Sequence, residues 1–263
     1  MSEPVVLCGI DTRGVATVTL NRPALNNAYN ADLLQGLIDT CATLASDPEV
    51  RVVLIRGNGA HFQAGADLTW LRQLATMDAA TNRAASVATA EAMRGLNEMA
   101  KPTVALVHGF CVGGGAGIVA SCDIVVAERG ATFAISEARW GMAATIIFPQ
   151  LVAAMGIRNV RRYALSGERF DARRAEVLGL VHEVCQPGQL DASAAPIIDA
   201  LLKIAPQAQA LSKLSALRCA DALIDDALFA RLVDEHADKR RSAEAQEGLA
   251  SFAEKREAAW YRH

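Results

Sequence analysis

The chain has 263 residues, of which 52% are hydrophobic and 21% charged, so a disordered polypeptide is excluded and one sizeable core is expected. A net charge of -3 and the lack of a basic stripe exclude nucleic acid as the main partner. The six cysteines, Cys8, Cys41, Cys111, Cys122, Cys185 and Cys219, form no CxxC pair, so buried free thiols in a reducing compartment are expected rather than a zinc site or disulfides.

The opening MSEPVVLCGIDTRG lacks the basic and apolar regions of a signal peptide. Val15–Leu20 reads as a strand, broken by Asn21-Arg22-Pro23. Asn30 is placed to cap a helix whose apolar face carries Leu33, Leu34, Leu37, Ile38, Cys41 and Leu44. Asp47-Pro48 ends it, and Val52–Ile55 is a second strand. His61–Leu68 is a loop of small residues, where backbone N–H groups can approach a ligand. Residues 69–100 read as helix with a break near Met77–Thr81. Trp70, Leu71, Leu74 and Met77 suit either a core or an acyl pocket.

Thr103–Val107 is an apolar strand, followed by Gly109, Gly113-Gly114-Gly115 and Gly117. Five glycines, His108 and Asp123 in this most apolar window argue against a membrane span. A short helix over Ile118–Cys122 and a strand over Ile124–Ala127 follow, then a strand-like run at Thr132–Ile135. Leu151–Ile157 and Val160–Leu165 read as helices. Phe170–Leu178 is a further helix with Asp171 as cap and Gly179 as stop, and Leu180–Val184 resembles a strand. Beyond Pro196 the composition shifts, no convincing strand remains, and residues 207–263 read as helices, with Arg231, Glu235 and Lys239 spaced for surface pairs. Alternating strands and helices predict an α/β architecture, a core over 1–195 and a helical region over 196–263. With no signal-peptide pattern, no membrane span and reduced cysteines expected, the sequence predicts a soluble, cytoplasmic protein.

The glycine stretch allows three chemistries. Gly115, Gly117 and Ala120 fit a dinucleotide fingerprint with Glu128 following, but five residues separate Val107 from Gly113 and the acid follows too soon. A phosphate-binding P-loop fails because no Gly-Lys-Ser/Thr follows. An oxyanion site made of backbone N–H groups gains from the second loop, since donors from Ala64–Asp67 and Gly113–Gly115 could converge on one carbonyl oxygen. His61 and His108 have no second ligand at metal spacing, so no metal is expected. Asp67 and Asp123 suit loop-holding hydrogen bonds.

At these residues the chain resembles the crotonase (enoyl-CoA hydratase/isomerase) superfamily. The resemblance rests on Asn21-Arg22-Pro23 with Leu25–Ala28, Phe62–Leu68, Lys101-Pro102-Thr103, and Gly113-Gly114-Gly115 with Cys122-Asp123-Ile124. It continues through Ala131-Thr132-Phe133, Ser136-Glu137, Gly179-Leu180-Val181, and Glu247-Gly248 with Phe252–Arg256. It implies a spiral of ββα units with a C-terminal helical region that assembles a homotrimer or homohexamer. It also implies an acyl-CoA thioester as ligand, with no cofactor beyond the coenzyme A of the substrate. Matched position by position, the oxyanion donors are the N–H groups of Ala66 and Gly114, and Glu137 is the catalytic acid/base. Ala64, Asp67, Leu68 and Lys255 fall at positions for substrate or CoA binding, Lys255 by reaching from a neighbouring subunit.

Two departures stand out. The family's other glutamate position is Gly117, which can do no acid/base work. The family's glycine-rich run after the second glutamate is replaced by Met142–Pro149. Phe133, Ile135 and Trp140 are placed to desolvate Glu137. The pattern resembles hydratases acting on branched, carboxylated substrates of the 3-methylglutaconyl-CoA or isohexenylglutaconyl-CoA kind. Hydration of a 2-enoyl-CoA, isomerisation of a 3-enoyl-CoA by the same glutamate, and non-catalytic CoA binding are the three readings it leaves.

Overall fold

The runs that are apolar without alternation lie at the centre of one sheet, as expected for strands covered on both faces. The structure is a computed structural model that describes residues 3–220, 222 and 225–262. In chain order the first half contains β1 (Val6–Ile10), β2 (Val15–Leu20), α1 (Ala31–Ser46), β3 (Val52–Gly57), α2 (Leu68–Leu74), α3 (Ala79–Glu98), β4 (Thr103–Val107), β5 (Phe110–Val112) and α4 (Gly114–Ala120). Next come β6 (Ile124–Glu128), β7 (Thr132–Ala134), α5 (Phe148–Met155), α6 (Ile157–Ser166), β8 (Phe170–Asp171), α7 (Ala172–Leu178) and β9 (Glu183–Cys185). Four helices close the chain: α8 (Leu190–Lys203), α9 (Pro206–Cys219), α10 (Asp226–Arg241) and α11 (Ala243–Glu254).

One sheet has the order β1-β2-β3-β4-β6-β9, parallel except for the β1/β2 pair. A second, of β5-β7-β8, is extended by a single bridge from Gln63 to Cys111. The chain therefore winds as ββα units such as β1-β2-α1 and β4-β5-α4; β1 and β2 both lie in the larger sheet, whereas β5 and β7, which follow β4 and β6, lie in the smaller one. In β4, Ala105 and Val107 face the main core while Val104 and Leu106 face α8 through Leu190, Ala194, Ile198 and Leu202. Pro196 lies inside α8.

Several local expectations hold. Asn30 caps α1 by accepting from the Leu33 N–H at 3.1 Å, and Leu33, Leu34, Leu37, Cys41 and Leu44 are buried. The break before α3 falls at Asp78, which accepts from the N–H groups of Ala80 and Thr81. Others need correction. β1 and β5 were not expected from the sequence; β1 gains its order by pairing with β2, and β5 has only three residues. Phe170–Asp171 is a strand pairing with β7, and the helix starts after Asp171 caps it. The strand expected at Leu180–Val184 is displaced to Glu183–Cys185, where it pairs with β6. Glu235 pairs with Arg218 on α9 and Lys239 with Glu244 on α11, each at 2.6 Å, rather than with one another along α10, because neighbouring helices offer closer partners. Cys8 and Cys219 are exposed, not buried. Among the described residues no helix is long and apolar enough to cross a membrane.

Candidate active site

The fold brings the two small-residue loops into contact. The loop before α2 is pinned on both sides of Ala66: Tyr29 N–H donates to Gly65 O at 2.9 Å, and Asp67 N–H to Tyr29 O at 2.8 Å. From below, buried Gln63 clamps the same loop, its Oε1 accepting from Gly65 N–H at 2.7 Å and its Nε2 donating to Gly65 O at 3.1 Å. Asn27, fully buried, donates to the carbonyls of Asn58, His61 and Phe62 and holds the loop's approach. With its neighbours fixed, the Ala66 N–H has no hydrogen-bond partner among the described residues.

The glycine stretch supplies a matching donor. β5 pairs with β7 so that Val112 lies beside Ala134, and Gly113 N–H donates to Ala134 O at 2.9 Å. Gly113 has a φ of +58°, which turns the chain from β5 into α4. Gly114 is the first residue of α4, so its N–H is one of the helix's orphan donors. A Cβ on Gly113 would stand 3.6 Å from Gly65 Cα, so the two loops touch one residue before each free N–H.

The same strand pairing delivers Glu137. It opens a 3-10 turn, Glu137–Trp140, soon after β7. Its Oε1 would lie 3.0 Å from a Cβ on Gly113, so the carboxylate rests against the bare backbone of the turn. Its Oε2 is buried and has no hydrogen-bond partner among the described residues. Burial pushes the Glu137 carboxyl above the usual range, partly offset by its own N–H and that of Ser136. Burial also pushes the Tyr29 phenol up to about 12, with the charge of Glu137 adding to it.

Ala66, Gly114 and Glu137 line one cavity of about 400 Å³. Ala64, Leu68, Leu71, Tyr29, Trp140, Arg139 and Arg169 also line it. Trp140 is 63% exposed at its wall. Phe133 and Ile135 do not line it; strand alternation turns them into the main core, so they are not the side chains that desolvate Glu137 from the cavity. Of the apolar group on α2 and beyond, Leu71 lines this cavity, whereas Trp70, Leu74 and Met77 line a separate groove against α1 and α3.

The space at Gly117, where the resemblance implied a second glutamate, is physically filled. A Cβ on Gly117 would stand 2.3 Å from Ile147 Cγ2, 2.9 Å from Ile147 Cβ and 3.4 Å from Met93 Sδ. Ile147 belongs to Met142–Pro149, so the two departures seen in the sequence are one: the replaced segment drives an isoleucine into the space a side chain at 117 would need.

The remaining candidates have defined surroundings. Asp67 is not among the cavity-lining residues. It caps α2 and pairs with Arg22 at 3.1 Å; burial alone would raise its carboxyl, but the bonds from Arg22, Thr69 and Trp70 hold it below the usual range. Asp123 accepts from the N–H and hydroxyl of Thr103 and pairs with Lys213 at 2.8 Å. His61 accepts from Phe110 N–H and stacks on its ring at 4.2 Å, while His108 meets Gly59 O. Among the described residues no group of three His, Cys, Asp or Glu side chains could hold a metal ion. Lys255 is exposed at the end of α11 and does not line the cavity of its own chain. Sequence reasoning missed Gln63, Tyr29 and Ile147. For Ile147 the coincidence of Gly117 with the altered segment was the available signal.

Known proteins share this arrangement of elements. The family model described as enoyl-CoA hydratase/isomerase matches residues 11–263. A crystal structure of an enoyl-CoA hydratase from Shewanella pealeana superposes with a TM-score of 0.94 at 36% identity, covering 97% of this chain and 96% of that one. The mevalonyl-coenzyme A hydratase of Aspergillus fumigatus is 34% identical over 265 residues, covering 97% of this chain and 94% of its own. A mitochondrial Delta(3,5)-Delta(2,4)-dienoyl-CoA isomerase of Dictyostelium discoideum is 28% identical over 257 residues, covering 94% and 87%. With a family match over nearly the whole chain and a superposition of this quality, the chain belongs to the enoyl-CoA hydratase/isomerase family, the crotonase superfamily.

Proposed function

We propose that the protein hydrates the 2,3-double bond of an acyl-CoA thioester. The observation that carries this reading is one buried carboxylate oxygen, Glu137 Oε2, in the same cavity as two backbone N–H groups, Ala66 and Gly114, all three without a partner among the described residues. In this reading the thioester oxygen accepts from both N–H groups, with the α4 N-terminus adding positive potential. Ionised Glu137 takes a proton from water as the water oxygen bonds to C3. The double-bond electrons move into an enolate held by the two donors. Protonated Glu137 then gives that proton to C2. One carboxylate thus serves both proton transfers, which suits a site whose second glutamate position holds only Gly117 and Ile147. Tyr29, whose hydroxyl would lie 3.1 Å from a Cβ on Gly114, is the group we assign to hold the attacking water. Ala64 and Leu68 would contact the CoA portion from the loop, and Lys255 would reach the phosphates of a neighbouring subunit's ligand in a trimer or hexamer built by the C-terminal helices. The reaction needs no separate cofactor, since coenzyme A is part of the substrate.

A second reading, isomerisation of a 3-enoyl-CoA to the 2-enoyl isomer, is favoured by Ile147. An apolar wall where the second acid would stand suits a reaction without water, in which Glu137 moves a proton from C2 to C4. The absorbance of the conjugated thioester separates the two. Loss of signal from crotonyl-CoA or 3-methylglutaconyl-CoA supports hydration, and gain of signal from a 3-enoyl-CoA supports isomerisation. Binding of these thioesters without turnover of any of them would leave a CoA-binding protein and refute both.

A further inference from the structure

The cavity that holds Glu137 carries an unbalanced charge. Among the described residues, its only charged lining residues are Glu137, Arg139 and Arg169. Neither arginine has a carboxylate partner among the described residues. Arg139 is fixed by donating from Nε to Gly167 O at 3.0 Å, and its stem crosses Gly167, where a Cβ would stand 3.1 Å from Arg139 Cγ. That leaves both terminal nitrogens of its guanidinium without a partner among the described residues. Arg169, two residues beyond Gly167, lies over the Phe110 ring at 5.1 Å, a contact that orients the guanidinium without neutralising it. The nearest acid in sequence, Glu168, is bound to Arg162 at 2.7 Å.

Arg139 and Arg169 are both exposed at the cavity wall, so a ligand entering the cavity can reach their guanidiniums. Each is oriented by a contact of its own, and together they present positive charge to a ligand in the cavity with no competing carboxylate partner among the described residues. A guanidinium presents paired N–H donors that match the two oxygens of a carboxylate or phosphate.

We infer that Arg139 and Arg169 form an anion subsite of the Glu137 cavity that binds a negatively charged oxygen group of the thioester ligand. Two sources share that chemistry, a second carboxylate on the acyl chain and a phosphate of the CoA. The inference rests on the thioester reading of the site, and it adds the residues that would select an acidic acyl group.

The test reads binding rather than turnover. Dissociation constants are measured by calorimetry for four saturated thioesters: butyryl-CoA, glutaryl-CoA, butyryl-pantetheine and glutaryl-pantetheine. The wild type, Arg139→Gln, Arg169→Gln and Arg169→Lys are compared, with thermal melts to check folding. Hydrogen bonds to a charged group predict a loss of roughly tenfold or more in each Gln variant. Loss confined to the two glutaryl ligands, on either carrier, assigns the subsite to the acyl carboxylate. Loss confined to the two CoA ligands assigns it to a CoA phosphate. Arg169→Lys, which keeps the charge, recovers part of the affinity in either case. Unchanged affinity, within about twofold, for all four ligands in both folded Gln variants overturns the inference while leaving the thioester reading intact. Absence of wild-type binding to all four overturns the thioester reading and this inference with it.

Discussion

The contact between Gly117 and Ile147 makes a quantitative prediction. A Cβ at 117 would lie 2.3 Å from Ile147 Cγ2, well inside the roughly 3.5–4.0 Å at which carbon atoms rest. Ile147 is 3% exposed and packs in the main core, so it has little room to retreat. Gly117→Ala should gain about 0.8–1.0 kcal/mol from helix propensity. It should lose about 1–3 kcal/mol from overpacking. The net expectation is a destabilisation of about 1 kcal/mol, the reverse of the usual effect of Gly→Ala in a helix. Ile147→Ala removes the offending Cγ2 and by itself should cost about 2–5 kcal/mol. Because the Ile147 Cβ, 2.9 Å from a Cβ at 117, remains in that background, Gly117→Ala should be less destabilising there than in the wild type, giving a coupling of about 1 kcal/mol between the two sites. Urea unfolding of the four proteins measures it. Additivity within about 0.5 kcal/mol would refute the claim that Ile147 occupies the space of a side chain at 117.

The buried Glu137 carboxyl has a raised pKa, so its contribution to stability is fully present below the ordinary glutamate pKa and is lost as pH rises through the folded value. Glu137→Gln should therefore gain stability relative to the wild type on moving from pH 4 to pH 8 in urea melts, and a constant difference would contradict the burial argument. Tyr29→Phe removes the assigned water partner. Hydration should fall by roughly two- to tenfold, while turnover of a 3-enoyl-CoA stays unchanged. Equal losses in both assays would reject that assignment. Arg51, 6% exposed, donates to Trp260 O at 2.5 Å and Ile204 O at 2.9 Å, tying the chain end to the sheet. Arg51→Met should cost about 2–3 kcal/mol in urea unfolding, and a change under about 0.5 kcal/mol would show that these bonds do not hold the end.

The parts of this molecule that were legible in its sequence are those set by local chemistry. Continuous apolar runs marked β2, β3, β4 and β6, and capping side chains marked α1 and α7, because each signal lies within the element it forms. β1, β5 and β8 are short and owe their order to a neighbouring strand, so nothing local announced them. The site divides in the same way. Glycine and small-residue loops pointed to backbone donors, and the structure brings Ala66 and Gly114 to one cavity with Glu137. What the sequence hid were contacts between distant segments: Gln63 clamping Gly65, Tyr29 beside Gly114, Ile147 against Gly117. Asp67 shows the converse, an acid in a functional loop whose oxygens are consumed by Arg22 and a helix cap. Salt bridges of α10 were misread because periodicity along one helix carries no information about the helix packed beside it.

The central claim is that Glu137 performs the proton transfers on a thioester held by Ala66 and Gly114. Its most direct test is turnover of a 2-enoyl-CoA and a 3-enoyl-CoA by the wild type and by Glu137→Gln, read from conjugated-thioester absorbance alongside a melt of each protein. The wild type should convert at least one of the two, and the variant should stay folded but lose about 10²–10⁴-fold in rate. A folded Glu137→Gln protein with near-wild-type turnover would contradict it.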